Sequence, residues 1–372
     1  MSRQTIATIN LDAVTSNLIA LQGYAKQSKT VAVIKANAYG NGAVKIAQHI
    51  QAHCDMFAVA ILQEALELRA SGITLPILVL QGPHESPEVA HTLEQNLHWM
   101  IHNHTQLGFL DALSSTEASL DGRLWFKFDS GMHRLGFALD SFAKLVDDYP
   151  QYFTPNTVIA THLACADEAN SEHAQSQIDA FLKCAQTSGF ALSIANSAGT
   201  IAHKDARQDF NRIGIAMYGS SPFSVQAPAN QALVLKPVMH LQAKIIALRT
   251  IPKGDTVGYG ATWKAPRQST IATVAIGYAD GYPRHAPTGT PAMCNGHRIA
   301  LVGRVSMDMI TFDVTDLQNV EVGDNVELWG DTLSINDVAE HIGTIGYELM
   351  TRLSSRVKRR YFCAAGNDNS PL

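Results

Sequence analysis

Val31-Ala32-Val33-Ile34-Lys35-Ala36-Asn37-Ala38-Tyr39-Gly40 sets a lysine at the close of an apolar run and follows it with small residues. A β-branched run of that length reads as a buried strand. Reading outward, similar runs recur at 56–60, 77–80, 98–102, 124–128, 158–162, 192–195 and 209–212. Between them, segments such as 43–51, 63–70, 87–95 and 172–187 carry apolar residues three and four apart, the spacing of one helix face. Strands alternating with helices build a parallel sheet covered by helices. Eight such runs point to an α/β fold whose N-terminal part is an eight-stranded β/α (TIM) barrel. An open doubly wound sheet is the competing arrangement.

Beyond Lys236-Pro237 the texture changes. β-Branched runs at 245–248, 271–276, 298–302 and 309–314 are punctuated by Pro252-Lys253-Gly254-Asp255, Asp280-Gly281 and Val322-Gly323-Asp324, all suited to turns. The expectation is a barrel over 1–233 and a mostly-β domain over 234–372, with a disordered tail at 366–372. A hydrophobic share of 46% and a net charge of −5 describe a globular protein without the basic field that nucleic acid requires. The N-terminus lacks the uninterrupted apolar stretch of a signal peptide or membrane span, which points to the cytoplasm and to no membrane partner. Five scattered cysteines, an odd number, fit free thiols better than disulfides. His98, His102 and His104 surround Trp99-Met100-Ile101, a strand-like run that would splay the rings, so no metal site is expected.

The end of a barrel strand is where such folds place chemistry. A lysine withdrawn from water disfavours its charge, and its neutral amine then attacks aldehydes. The alternative for Lys35 is a side chain snorkelling at a strand edge. In Leu124-Trp125-Phe126-Lys127-Phe128-Asp129, alternation places Lys127 with Trp125 on one buried face, where a lysine needs a compensating partner or a modification. The loop that follows carries Arg134, whose guanidinium suits a bidentate hold on a substrate carboxylate. Thr161-His162 and Asn196-Ser197 bring polar side chains to the same end, although a histidine in apolar company also reads as a satisfied core residue. Arg212 closes the eighth run. The amides of Gly214 and Ile215, with the Ser197 hydroxyl, then make a phosphate cradle where barrels commonly place one. In the second domain Tyr259, held between Gly258 and Gly260, is open to close approach or is a surface turn tyrosine. No dinucleotide fingerprint or P-loop is present.

Together these segments resemble the alanine racemase family from Thr8 to Arg356, nearly the whole chain. The resemblance is carried by Ala32-Val33-Ile34-Lys35-Ala36-Asn37-Ala38-Tyr39-Gly40, Gly131-Met132-His133-Arg134-Leu135-Gly136 and the segment 212–219. It continues in Val257-Gly258-Tyr259-Gly260-Ala261-Thr262, Ile276-Gly277-Tyr278-Ala279-Asp280-Gly281-Tyr282 and Ser306-Met307-Asp308, all in family order. The resemblance implies an isomerase that interconverts L- and D-alanine with pyridoxal 5′-phosphate (PLP). It implies that Lys35 bonds PLP covalently, that Tyr39, Ser197, Gly214, Ile215 and Tyr347 hold its phosphate, and that Arg212 faces its pyridine nitrogen. A guanidinium does not readily give that nitrogen a proton, which favours reprotonation over transamination.

The resemblance also implies two bases, Lys35 and Tyr259, on opposite faces of the substrate. A phenol of pKa ~10 is a weak base at neutral pH, and the help it needs is placed in His162. Tyr259 and Met307 would reach the neighbouring chain's site in an obligate homodimer. Lys127 matches a lysine that many relatives carry as a carbamate (N6-carboxylysine), orienting Arg134 beside the substrate carboxylate. Two positions depart from the pattern: His133 stands where glycine is common, and Ser306 where many relatives have cysteine. The competing readings are a broader racemase accepting serine or lysine, a barrel-type PLP decarboxylase, a PLP carrier built from a barrel alone, and a cofactor-free Schiff-base aldolase. The segments around Tyr259 and Met307 weigh against the decarboxylase, and the second domain against the carrier.

Overall fold

The computed structural model describes residues 5–111 and 120–363. The expected tail at 366–372 and the outer limits of both expected domains lie outside the described residues. Eight parallel strands follow one another as Lys29–Val33, Met56–Val59, Ile77–Val79, Leu97–Ile101, Leu124–Asp129, Val158–Ala160, Ala191–Ser193 and Phe210–Ile213. The eighth pairs with the first, Arg212 opposite Val31. The Arg212 N–H also donates to Ala195 O at 2.9 Å, so the barrel is nearly closed on its last side. An open sheet is therefore not the arrangement.

The helices behave as their periodicity requires: Ala43–Ile50 buries Ile46, Ala47 and Ile50, and Glu172–Ala185 buries Ile178 and Phe181. Inside the barrel, Trp125 meets Phe210 with ring centroids 5.0 Å apart. These rings share faces with Lys127 and Arg212, two residues further along each strand. The aromatic pair thus fills the barrel interior, and the polar pair stands above it at the C-terminal end.

Several strands stop short of the expected ends. The first ends at Val33 and not at Lys35, the sixth at Ala160 and not at His162, and the seventh at Ser193 and not at Ala195. Apolar runs mark burial, which continues past the last ladder hydrogen bond, so these side chains stand on the loops just beyond the strands.

The second domain is mostly antiparallel sheet, closed by the pairing of Met239–Ile251 with both Ser269–Val274 and Asn325–Trp329. Ile6–Asn10, which sequence grouped with the barrel, is a strand of this second sheet, antiparallel to Met239–Ile251 and parallel to Lys358–Phe362. Its alternate burial, with Ala7 and Ile9 inside, suits a sheet with one covered face rather than a barrel strand covered on both. Two helices that the sequence reading passed over, Ile335–Ile342 and Gly346–Thr351, return to the barrel, and the second brings Tyr347 to its mouth.

Candidate active site

A cavity of about 460 Å³ opens at the C-terminal end of the barrel. Lys35, Lys127, Arg134 and Arg212 line it with His162, and no carboxylate is among its lining residues. Tyr39, Ser197, Gly214, Ile215 and Tyr347 line it as well.

Lys35 enters the cavity on an unusual backbone. Ala36, Asn37, Ala38 and Tyr39 take φ values of 51, 54, 53 and 53°, one turn of left-handed helix. Each such non-glycine residue costs roughly 1–2 kcal/mol. The turn is closed by Ala38 N–H on Ile34 O at 2.8 Å, Gly40 N–H on Ala36 O at 2.9 Å and Ala43 N–H on the Asn37 side-chain oxygen at 2.7 Å. Only glycine fits where it ends, because a Cβ on Gly40 would lie 2.2 Å from Met350 O. Burial, then the charge of Arg134, lowers the Lys35 pKa, with Glu64 opposing and Arg212 adding. The neutral amine is favoured accordingly.

Arg212 is buried and commits both terminal nitrogens of its guanidinium to the barrel itself. Nη1 donates to Ser193 O and Oγ at 3.0 and 2.5 Å, and Nη2 donates to Thr161 O and Ile194 O at 2.6 and 3.0 Å. Nη2 also reaches Nδ1 of His162 at 3.3 Å. A guanidinium only donates, so Nδ1 is the acceptor and the imidazole is neutral with its proton on Nε2. Burial and then Arg212 drive the His162 pKa well below its usual value, in agreement. His162 is thus an oriented group at the cavity wall, not a core histidine.

Lys127 is 6% exposed, and no carboxylate is paired with its amine among the described residues. Burial, then Arg212 and Arg134, pulls its pKa down to about 8. The loop beyond it is shaped by Asp129, whose Oδ1 accepts the N–H groups of Gly131, Met132 and His133 at 2.9, 2.9 and 3.1 Å. His133 sits at φ 56°, the left-handed region that glycine enters most easily. Arg134 follows it into the cavity wall.

Across the cavity Ser197 Oγ accepts the Gly214 N–H at 2.8 Å. Tyr39 lies between Tyr218 and Tyr347, with ring centroids 5.0 and 5.9 Å away, and its hydroxyl would be 2.7 Å from a Cβ on Gly214. Gly214→Ala is expected to cost about 1–3 kcal/mol by overpacking, read as a lower denaturant midpoint; an unchanged midpoint would show that the cradle tolerates a side chain.

Tyr259 and Met307 are not in their own chain's cavity. They are 68% and 53% exposed, on loops that pack against each other. Tyr278 N–H donates to Ser306 O at 3.1 Å and Ala279 N–H to Met307 O at 2.9 Å, while Gly303 leaves no room for a Cβ against Val257 O. The three second-domain motifs therefore form one surface that presents both side chains outward. Sequence reasoning passed over Gln81, Ser193 and Glu64. Gln81 lines the cavity one residue past Leu80, and asking which polar residue follows each strand would have found it. His98, His102 and His104 diverge as expected: the His102 Nε2 bonds Gln81 O at 2.9 Å, and His104 packs edge-on against Phe137.

A cavity lined by lysines and arginines at the mouth of a β/α barrel, joined to a separate β domain, is the build of a barrel-type enzyme. Residues 9–222 match the alanine racemase N-terminal domain and 238–361 the C-terminal domain. The chain is 45% identical over 359 residues to the alanine racemase of Alteromonas mediterranea, covering 96% of this chain and 99% of that protein. Its fold is similar to the crystal structure of the biosynthetic alanine racemase from Pseudomonas aeruginosa, with a TM-score of 0.91, 41% identity and coverage of 97% and 99%. It is also similar to the alanine racemase from Bartonella henselae with covalently bound pyridoxal phosphate, with a TM-score of 0.87, 33% identity and coverage of 96% and 99%. The chain belongs to the alanine racemase family. It is an isomerase that interconverts L- and D-alanine.

Proposed function

We propose that this chain racemises alanine in the cytoplasm with PLP held at the barrel mouth, by proton transfer on both faces of the substrate in a homodimer. The observation that carries the reading is a partly buried lysine amine among three further cations in a cavity without a carboxylate. PLP brings an anionic phosphate and alanine an anionic carboxylate. The Ser197 hydroxyl, the Ile215 amide and the Tyr39 and Tyr347 phenols would hold the phosphate, with the Gly214 amide exchanging Ser197 Oγ for a phosphate oxygen. Among the described residues no acceptor takes the Arg212 Nε–H, which leaves that donor for the pyridine nitrogen. Lys35 would hold the aldehyde carbon, as the covalently bound cofactor of the Bartonella henselae relative supports. When bound, PLP withdraws electrons from the substrate and acidifies its α-proton.

The chain's own groups then move that proton. Lys35 carries it on one face, its amine biased to the neutral form by burial and Arg134. Tyr259 of a second copy carries it on the other, and the Nε2–H of His162 is the donor that would stabilise the phenolate. Arg134 grips the carboxylate, with Met307 of the second copy beside it. Deuterium wash-in at the alanine α-carbon by purified protein in D₂O tests the reaction; an α-proton that stays in place would end this reading.

Lys127 as a carbamate would turn a buried cation into an anion beside Arg134. A pKa near 8 gives the neutral amine that attacks CO₂, forming the N–C bond and releasing one proton. A bare amine has a different signature. With a folded pKa of about 8 against ~10.4 unfolded, the unfolded chain binds the extra proton between those values, so stability would rise with pH across that window. Below it the cation would cost about 3 kcal/mol in full. Lys127→Met is therefore expected to destabilise the carbamylated protein by about 3 kcal/mol at neutral pH through loss of a buried partner. A higher melting temperature in the variant, or electron density ending at a bare amine, would reject the carbamate.

A further inference from the structure

The left-handed turn behind Lys35 begins with an amide that the turn itself does not satisfy. Ala36 N–H finds its acceptor in another element: Oε1 of Glu64, at 2.6 Å. The second oxygen of the same carboxylate accepts Ala60 N–H at 2.7 Å and Ile61 N–H at 3.4 Å. Glu64 lies in the first turn of the helix Leu62–Ala70. One side chain thus ties the loop after the first barrel strand to the loop after the second, at the catalytic end. We infer that Glu64 is a positioning residue for the racemase reaction, clamping the strained turn so that Lys35 and Tyr39 face the cavity together and supplying the negative charge that offsets the surrounding cations.

Three observations support it. Four consecutive non-glycine residues at φ near 50° do not persist without outside restraint. The turn separates Lys35 from Tyr39 by one helical revolution, so both line the same cavity only while it stays wound. Facing the Lys35 amine are Arg134 and Arg212, with Lys127 and His162 in the same cavity wall, and Glu64 is the carboxylate acting against them.

The inference rests on Lys35 as the reactive amine, and the test separates the two. In Glu64→Gln, amide exchange in the peptide covering 35–42 is expected to quicken by about 10- to 100-fold, the effect of losing a charged hydrogen bond, while peptides elsewhere keep their rates. This measurement needs no cofactor. In the PLP-loaded enzyme kcat should fall about tenfold with KM little changed. The acid limb of the kcat profile should move to lower pH, because kcat reports the substrate-bound enzyme and an amine without its counter-charge loses its proton more easily. Glu64→Asp keeps the charge but not the reach, so it should quicken exchange and leave the limb in place. Unchanged exchange together with an unchanged pH limb in Glu64→Gln overturns the inference, even where borohydride labelling maps to Lys35. A label that misses Lys35 in the unaltered protein instead overturns the underlying assignment, and the exchange result still decides the clamp.

Discussion

Lys35→Ala is expected to lose racemisation by at least about 10⁴-fold, the upper end of what a single acid–base group contributes, together with covalent retention of PLP. The two losses have one origin. The amine that would bond the aldehyde is the amine that would exchange the α-proton, and no other cavity group can take over either role. Lys127 stands on the fifth barrel strand, and a guanidinium is neither a base nor a nucleophile at neutral pH. The fold itself should survive. At the Lys35 amine burial and Arg134 outweigh the attraction of Glu64, so its charge adds no net stability to lose, and the left-handed turn after it is held by Ile34 O, Glu64 and Asn37, none of which the substitution touches. Melting temperature, visible cofactor absorbance and peptide mapping after borohydride reduction check these points. Racemisation within tenfold of the unaltered enzyme would sink the assignment, as would a label recovered on a different lysine.

Tyr259→Phe is expected to keep the bound cofactor's colour and lose turnover by about 10²–10⁴-fold in at least one direction. With one face served by Lys35 alone, the enantiomer whose α-proton points that way should still exchange it with solvent deuterium while failing to invert. Exchange separated from inversion is a result that general damage to the site does not give. Equal racemisation rates in the variant would remove the phenol from the reaction. Because Tyr259 is 68% exposed and outside its own chain's cavity, the proposal also requires that it act on a second copy. Mixing Lys35→Ala protein with Tyr259→Phe protein should restore activity, since a hybrid dimer has one site with an intact lysine and an intact tyrosine. Mixtures that stay inactive under conditions of subunit exchange would sink the shared site.

Much of the architecture is legible in the chain itself. The eight apolar runs, the change of texture past residue 236 and the clustering of Lys35, Lys127, Arg134, His162 and Arg212 at strand ends follow from periodicity and from where barrels place polar residues. Glu64 and Gln81 are not legible in this way. The first looks like an ordinary acid in a helical first turn and the second like a loop residue, and only the approach of neighbouring strands shows what each one touches.

What the amino-acid order alone determined was the layered architecture and the chemical type of the site, because burial and alternation are local properties of a chain. Tertiary structure decided the rest. It wound four non-glycine residues left-handed behind Lys35, drew Ile6–Asn10 out of the barrel into the second sheet, and fixed His162 neutral through Arg212. Each of these depends on groups tens to hundreds of residues apart in sequence, and the energies of such contacts exist only once the fold has brought them together.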